Sequence, residues 1–304
     1  MENKQIKILV IGSAGFIGGF CSAYLRKEND VWECDVFPQN DNPRYFCVGK
    51  ENAEYSAIFQ SQIFDFCINC CGSADVPFSL KNPALDLQLN TLNVIKILEA
   101  IRLYNPRCKF LTMSSAAVYG NPLHLPIREN SPTNPVSPYG FHKMFAEKVC
   151  EEYFRFWGIQ TCCLRVFSAY GPGLKKQILW DLYQKFSAGN VVNLWGTGNE
   201  TRDFIYVTDL VHAIDLAIKN SSFQAEIINV ANGKQYSISN VVSLFAKEFD
   251  SSTRIINFSG TERTGDPICW EADIAKLKRW GYSPLVTIET GIRNYIQWAQ
   301  KEQQ

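Results

Sequence analysis

Short apolar runs alternate with longer stretches of helical spacing through the first half of the chain. Residues 6–11, 31–36, 65–69, 109–113 and 160–165 are nearly continuous apolar runs, the pattern of strands covered on both faces. Residues 16–28, 84–104 and 138–157 carry the helical period, clearest where Val94, Ile97, Leu98 and Ile101 share one face. Such alternation predicts an α/β fold, a doubly wound parallel sheet of the Rossmann-like kind with helices on both sides. The second half is less regular, with helical segments at 177–188, 209–219, 239–249 and 289–301 and strands at 204–207 and 227–230. Pro122, Pro126, Pro132, Pro135 and Pro138 make 121–138 an extended loop before a helix, and loops of that length usually carry function. We expect a larger domain from 1–167, rejoined by roughly 204–232. A smaller, interwoven α/β domain from 168–203 plus 233–304 is expected to leave a cleft between the two.

Composition narrows the classes. The 304 residues are about two domains' worth of chain. A 46% hydrophobic content excludes disorder as the dominant state. Lys plus Arg and Asp plus Glu both number 30, so nothing global draws the chain to nucleic acid or to an acidic membrane. Lys4 and Lys7 precede an apolar stretch that resembles a secretion signal. The regularly spaced Gly12, Gly15 and Gly18 suit a strand–turn–helix better, so a cytoplasmic protein is expected. Eleven cysteines include a CxxC at Cys67 and Cys70. On a strand those two point to opposite faces and share no metal. Buried reduced thiols, and no metal site, are the expectation.

The chemistry begins at Gly12-Ser-Ala-Gly15-Phe16-Ile17-Gly18, which follows a strand and opens a helix. Its glycines permit a tight turn and let backbone approach a pyrophosphate at the helix N-terminus. Asp35 closes the next strand, where a carboxylate accepts from ribose hydroxyls and repels a 2′-phosphate, favouring NAD over NADP. Tyr139-Gly-Phe-His-Lys143 puts a phenol and an ammonium on one helix face. Thr112-Met-Ser-Ser115-Ala-Ala-Val-Tyr-Gly120 stands at the carboxyl end of a strand, where doubly wound folds place ligand-contacting groups.

Together these segments resemble the extended short-chain dehydrogenase/reductase family, in its nucleotide-sugar epimerase and dehydratase branch, over nearly the whole chain. The stretches Leu164-Arg-Val-Phe-Ser-Ala-Tyr-Gly-Pro-Gly173, Gly196-Thr-Gly-Asn-Glu-Thr-Arg-Asp-Phe-Ile-Tyr-Val-Thr-Asp209 and Arg263-Thr-Gly-Asp266 extend the match. The resemblance implies Tyr139 as acid/base, Ser115 holding the reacting oxygen, and Lys143 binding the nicotinamide ribose and lowering the tyrosine's pKa. It implies cofactor contacts from Gly12, Gly15, Phe16, Ile17, Gly18, Asp35, Asn90, Tyr139 and Lys143. Ser168, Trp195, Arg202 and Arg263 would meet the nucleotide sugar. The larger domain would then bind NAD and the smaller one the nucleotide sugar, and similar proteins pair as homodimers through helices equivalent to 84–104 and 138–157.

Three departures refine this. Ser168 replaces the family's asparagine beside the diphosphate. Ala116 and Ala117 replace the Asp-Glu pair of 4,6-dehydratases, and Ala117 and Gly173 fall where C3/C5-epimerising reductases carry cysteine and histidine. Carbon-acid chemistry thus lacks its groups, and hydride transfer at C4 remains. The expectation is an NAD-dependent nucleotide-sugar 4-epimerase acting through a 4-keto sugar. The alternatives are a 4-ketoreductase or 4-dehydrogenase and, less well matched, a silent dinucleotide sensor.

Overall fold

The computed structural model describes residues 5–39, 41–50, 52–250, 254–261 and 265–302. Strand β1 (Lys7–Ile11) runs into α1 (Phe16–Leu25), β2 (Asp30–Asp35) and the short β3 (Tyr45–Cys47). Then come α2 (Ser56–Ser61), β4 (Phe66–Asn69), α3 (Val76–Lys81) and α4 (Pro83–Leu87). A π-helical turn (Gln88–Leu92) passes without a break into α5 (Asn93–Tyr104), which is followed by β5 (Lys109–Ser115). A 3-10 turn (Ala116–Tyr119) precedes α6 (Pro138–Trp157), β6 (Thr161–Val166) and β7 (Ser168–Tyr170).

The second half holds α7 (Gln177–Ala188), β8 (Val191–Leu194), β9 (Thr201–Tyr206), α8 (Val207–Asn220) and β10 (Gln224–Val230). It ends with β11 (Gln235–Ser237), α9 (Ile238–Phe249), β12 (Ile255–Phe258), α10 (Ala275–Arg279) and α11 (Ile288–Lys301).

Seven parallel strands form one sheet in the order β10-β6-β5-β4-β1-β2-β3. The chain steps outward from β1 to β3, then returns to the other side of β1. Connections therefore leave β1 and β4 in opposite directions and open a crevice at their carboxyl ends, where such folds bind ligands.

Alternation along the strands covers both faces. Ile8, Val10, Ile68, Leu111 and Leu164 pack with Cys21 and Leu25 of α1 and Leu210 and Ile214 of α8. Leu9, Ile11, Cys67, Phe110 and Cys163 pack instead with Val94, Ile97, Leu98 and Ile101 of α5 and with Ala146 and Cys150 of α6. Cys67 and Cys70 lie against opposite clusters, and all eleven thiols are free.

The remaining strands form two small sheets, β11-β9-β7 and β12-β8. With α7, α9 and α11 they enclose a separate core around Leu182, Phe186, Phe245 and Tyr295. Residues 204–206 belong to this smaller layer through β9, so the chain's return to the large sheet begins with α8. The helix expected over 84–104 is interrupted by the π turn. There Thr91 Oγ1 donates to the carbonyl of His142 on α6, 2.8 Å away. Among the described residues no helix is long and apolar enough to cross a membrane.

Candidate active site

The glycine turn is dictated by close contacts. Gly12 has φ +83°, and a Cβ there would lie 2.7 Å from the Cys71 nitrogen. A Cβ on Gly18 would lie 2.0 Å from the Gly12 carbonyl oxygen, so helix and turn touch only because Gly18 is bare. Gly15 is the N-cap of α1 and no side chain caps that helix. The N–H groups that Phe16, Ile17 and Gly18 contribute to its first turn are thus left for an anion. Asp35 Oδ2 accepts from Ala14 N at 2.8 Å and Oδ1 from Val36 N at 2.7 Å, which fixes the carboxylate at the strand end beside the turn.

Across the crevice, α6 carries Tyr139 and Lys143, both buried. Ser115 stands near enough to the Tyr139 phenol to act on its pKa, and its own hydroxyl accepts from Ala117 N at 3.1 Å. Burial pushes Tyr139 up to about 12, with the neighbouring Ser115 opposing the rise and Asp86 adding to it. Lys143, expected to lower it, stands with its Nζ 6.0 Å from the tyrosine ring centroid and donates to the carbonyl of Met113 at 2.9 Å. Burial lowers the ammonium's own pKa, against the opposing pull of Cys71 and Asp86. Near neutral pH this environment favours the protonated phenol.

Gly72, a residue the sequence did not single out, lets the site close. A Cβ on it would lie 2.6 Å from Asn90 Oδ1 and 3.4 Å from Lys143 Nζ. Asn90 and Lys143 therefore converge over one bare backbone position. Asn90 is only 1% exposed and neither of its amide atoms has a partner. A buried primary amide left unpaired beside a glycine turn and an uncapped helix suits a nicotinamide dinucleotide, whose polar edge would satisfy it.

The expected substrate groups gather on the smaller layer. Ser168 opens β7 and pairs with Phe204 of β9. Arg202, on β9, donates from Nη1 to the Thr201 carbonyl at 2.8 Å and lies 5.4 Å over the Trp270 ring. Burial lowers its pKa, and Asp266 and Glu200 resist. Trp270 was not foreseen. Its Nε1 donates to the Gly120 carbonyl at 3.1 Å, so one indole joins Arg202 to the segment that follows Ser115. Trp195 is 66% exposed beside Gly196, and Arg263 lies outside the described residues. Asp203, also missed, accepts from the backbone of Asn232, Gly233 and Ala272 and knots β9 to two later segments. Among the described residues no cluster of three or more His, Cys, Asp or Glu side chains could hold a metal ion.

Comparison with known proteins agrees with this geometry. The model of the NAD dependent epimerase/dehydratase family matches residues 8–231. A putative UDP-glucose 4-epimerase of Methanocaldococcus jannaschii is 30% identical over 96% of this chain and 97% of its own. UDP-glucuronate 4-epimerase 4 of Arabidopsis thaliana is 25% identical over 97% of this chain and 76% of its own. Among solved structures, UDP-glucuronic acid 4-epimerase from Bacillus cereus in complex with UDP-glucuronic acid and NAD superposes with a TM-score of 0.87. It is 26% identical, and the match covers 98% of this chain and all of that one. With the family model matching residues 8–231 and a 30% identical relative matching nearly end to end, the chain belongs to the NAD dependent epimerase/dehydratase family.

Proposed function

We propose that this protein is an NAD-dependent nucleotide-sugar 4-epimerase. The observation that carries the reading is the convergence of Lys143 and the unpartnered Asn90 over Gly72, one helical turn from Tyr139. With the Lys143 charge favouring its ionisation, the Tyr139 phenolate takes the proton of the sugar's C4 hydroxyl while Ser115 holds that oxygen, and the phenol so formed returns the proton after the ketone has turned over. When bound, NAD supplies the redox step by accepting and returning the C4 hydride. Lys143 and Asn90 orient its nicotinamide end, Asp35 its adenosine ribose, and the N-terminus of α1 its pyrophosphate. Ser168, Trp195, Arg202 and Arg263 serve the nucleotide diphosphate, a task suited to guanidinium groups. Ala116 and Ala117 supply no acid or base that would eliminate water or epimerise a neighbouring carbon. The relatives act by name on UDP-sugars, so uridine diphosphate hexoses and uronates are the first substrates to test.

The seven-stranded sheet is the NAD layer and the smaller layer the nucleotide-sugar layer in this reading. We infer a homodimer through α5 and α6, supported by the exposed Leu92, Phe141 and Phe145 at 42–44%. Free thiols throughout support a reducing, cytoplasmic setting.

The experiment uses protein purified without added cofactor. It is expected to carry NAD and to interconvert C4-epimeric UDP-sugars with no net change in nicotinamide absorbance. Stoichiometric NADH consumption with a 4-keto sugar, and no epimer from any saturated one, would make it a ketoreductase instead.

A further inference from the structure

Asp86 and His142 are both buried, and beyond the charge of Asp86 acting on Tyr139 and Lys143 neither has been given a role so far. Asp86 lies on α4, one turn before Asn90 on the π turn. His142 lies on α6 between Tyr139 and Lys143. Its Nδ1 meets Asp86 Oδ2 at 2.6 Å, and with the carboxyl ionised that nitrogen donates. Two further bonds join the same regions. Thr91 Oγ1 donates to the His142 carbonyl at 2.8 Å, and Ser79 Oγ on α3 accepts from Tyr139 N at 3.1 Å. Three consecutive elements are thus bound to Tyr139 and His142 of one helix. A fully buried carboxylate is expensive unless paired, and Asp86 Oδ1 has no partner, so packing alone does not account for its presence.

We propose that Asp86 and His142 are a positioning pair, holding the Tyr139–Lys143 turn of α6 in register with the π turn so that Asn90 and Lys143 meet over Gly72. The kinetic half of this proposal rests on the epimerase reading; the cofactor half does not. The pair touches neither reacting group, so its effect must appear through the groups it holds. Losing the pair should lower kcat and NAD affinity together while leaving the sugar's KM nearly unchanged, because the nucleotide diphosphate is gripped from the other layer.

The test uses the full chain and two readouts, NAD titration of cofactor-stripped protein and steady-state epimerisation. Asp86→Ala and His142→Phe should each weaken NAD binding about tenfold and lower kcat about 10–100-fold. Asp86→Asn keeps a hydrogen bond to Nδ1 and should stay within about threefold of the parent. The Asp86→Ala/His142→Phe double variant should lose little beyond the worse single one, because both remove one interaction. If the Ala and Phe variants do not fold, Thr91→Val carries the test, with an expected loss of about threefold in NAD affinity. NAD affinity within experimental error of the parent in the folded variants would overturn the pairing role, as would a raised sugar KM with kcat intact. If the parent protein epimerises nothing, the functional reading fails and the NAD titration alone decides the pair.

Discussion

At the scale of single residues, Tyr139 must surrender a proton from a site that favours keeping it. Burial pushes it up to about 12, against an ordinary phenol near 10. Tyr139→Phe keeps the ring and its packing, so the variant should fold, retain NAD and lose activity by roughly 10²–10⁴-fold; a coupled epimer assay checks this. The raised value has a second consequence. Native Tyr139 holds its proton above the pH at which the unfolded chain releases it, so its contribution is intact below about pH 10 and drains away toward 12. Chemical denaturation should show the parent losing more stability than Tyr139→Phe across that window, by as much as about 2–3 kcal/mol. Gly18→Ala should be harsher, since its Cβ meets backbone at 2.0 Å and no rotamer relieves that; about 1–3 kcal/mol and most NAD retention should be lost. The glycine turn, Tyr139 and Lys143 were legible because their logic is local, residues a few positions apart on one turn. Asp86 was not, because its partner is 56 positions away, and neither was Gly72, whose meaning depends on two side chains from other elements.

Among elements, α6 is the one that carries the acid/base pair, and its start is set by Ser137. That residue's Oγ accepts from Gly140 N at 3.2 Å, with Pro138 at the first helical position. Ser137→Ala should cost about 0.5–2 kcal/mol and loosen the turn holding Tyr139, read as a lower melting temperature together with a lower kcat. The end of β2 is the matching point on the cofactor side. Asp35 is held by Ala14 N and Val36 N, so its charge cannot swing away from an added 2′-phosphate. Binding titrations should favour NAD over NADP, and Asp35→Ala should narrow the gap. The long elements were readable from periodicity, since α5 and α6 repeat their apolar face over several turns. β3, β7 and β11 span only three residues each, too few for any alternation to register. The π turn escaped for a different reason. The apolar period of 84–104 runs on through it, and the distortion is visible only once Thr91 is seen bonded to α6.

For the molecule as a whole, strand order decides what can fold alone. β10 completes the large sheet beside β6, although it follows the whole of β7, α7, β8 and β9 in the chain. A fragment ending at residue 167 would lack β10 and α8, uncovering β6 and the sheet face that Leu210 and Ile214 cover. Such a fragment should be insoluble or molten by near-ultraviolet circular dichroism, whereas the full chain should unfold in one transition. The alternation of elements told of a parallel sheet, but no local pattern marks which late strand returns to its edge. The two layers meet at Phe16, packed against both the sheet's core and that of the smaller layer. A Cβ on Gly171 or Gly173 would come within 3.6 or 3.7 Å of its ring. This joint constrains inheritance. Anyone recombining the chain with a relative to exchange its sugar preference would do best to draw Phe16, Gly171, Gly173 and Val207 from one parent. At Gly171 a foreign Cβ would strike Val207 at 2.6 Å, so a crossover between these positions would misalign the hybrid before its new pocket could be judged.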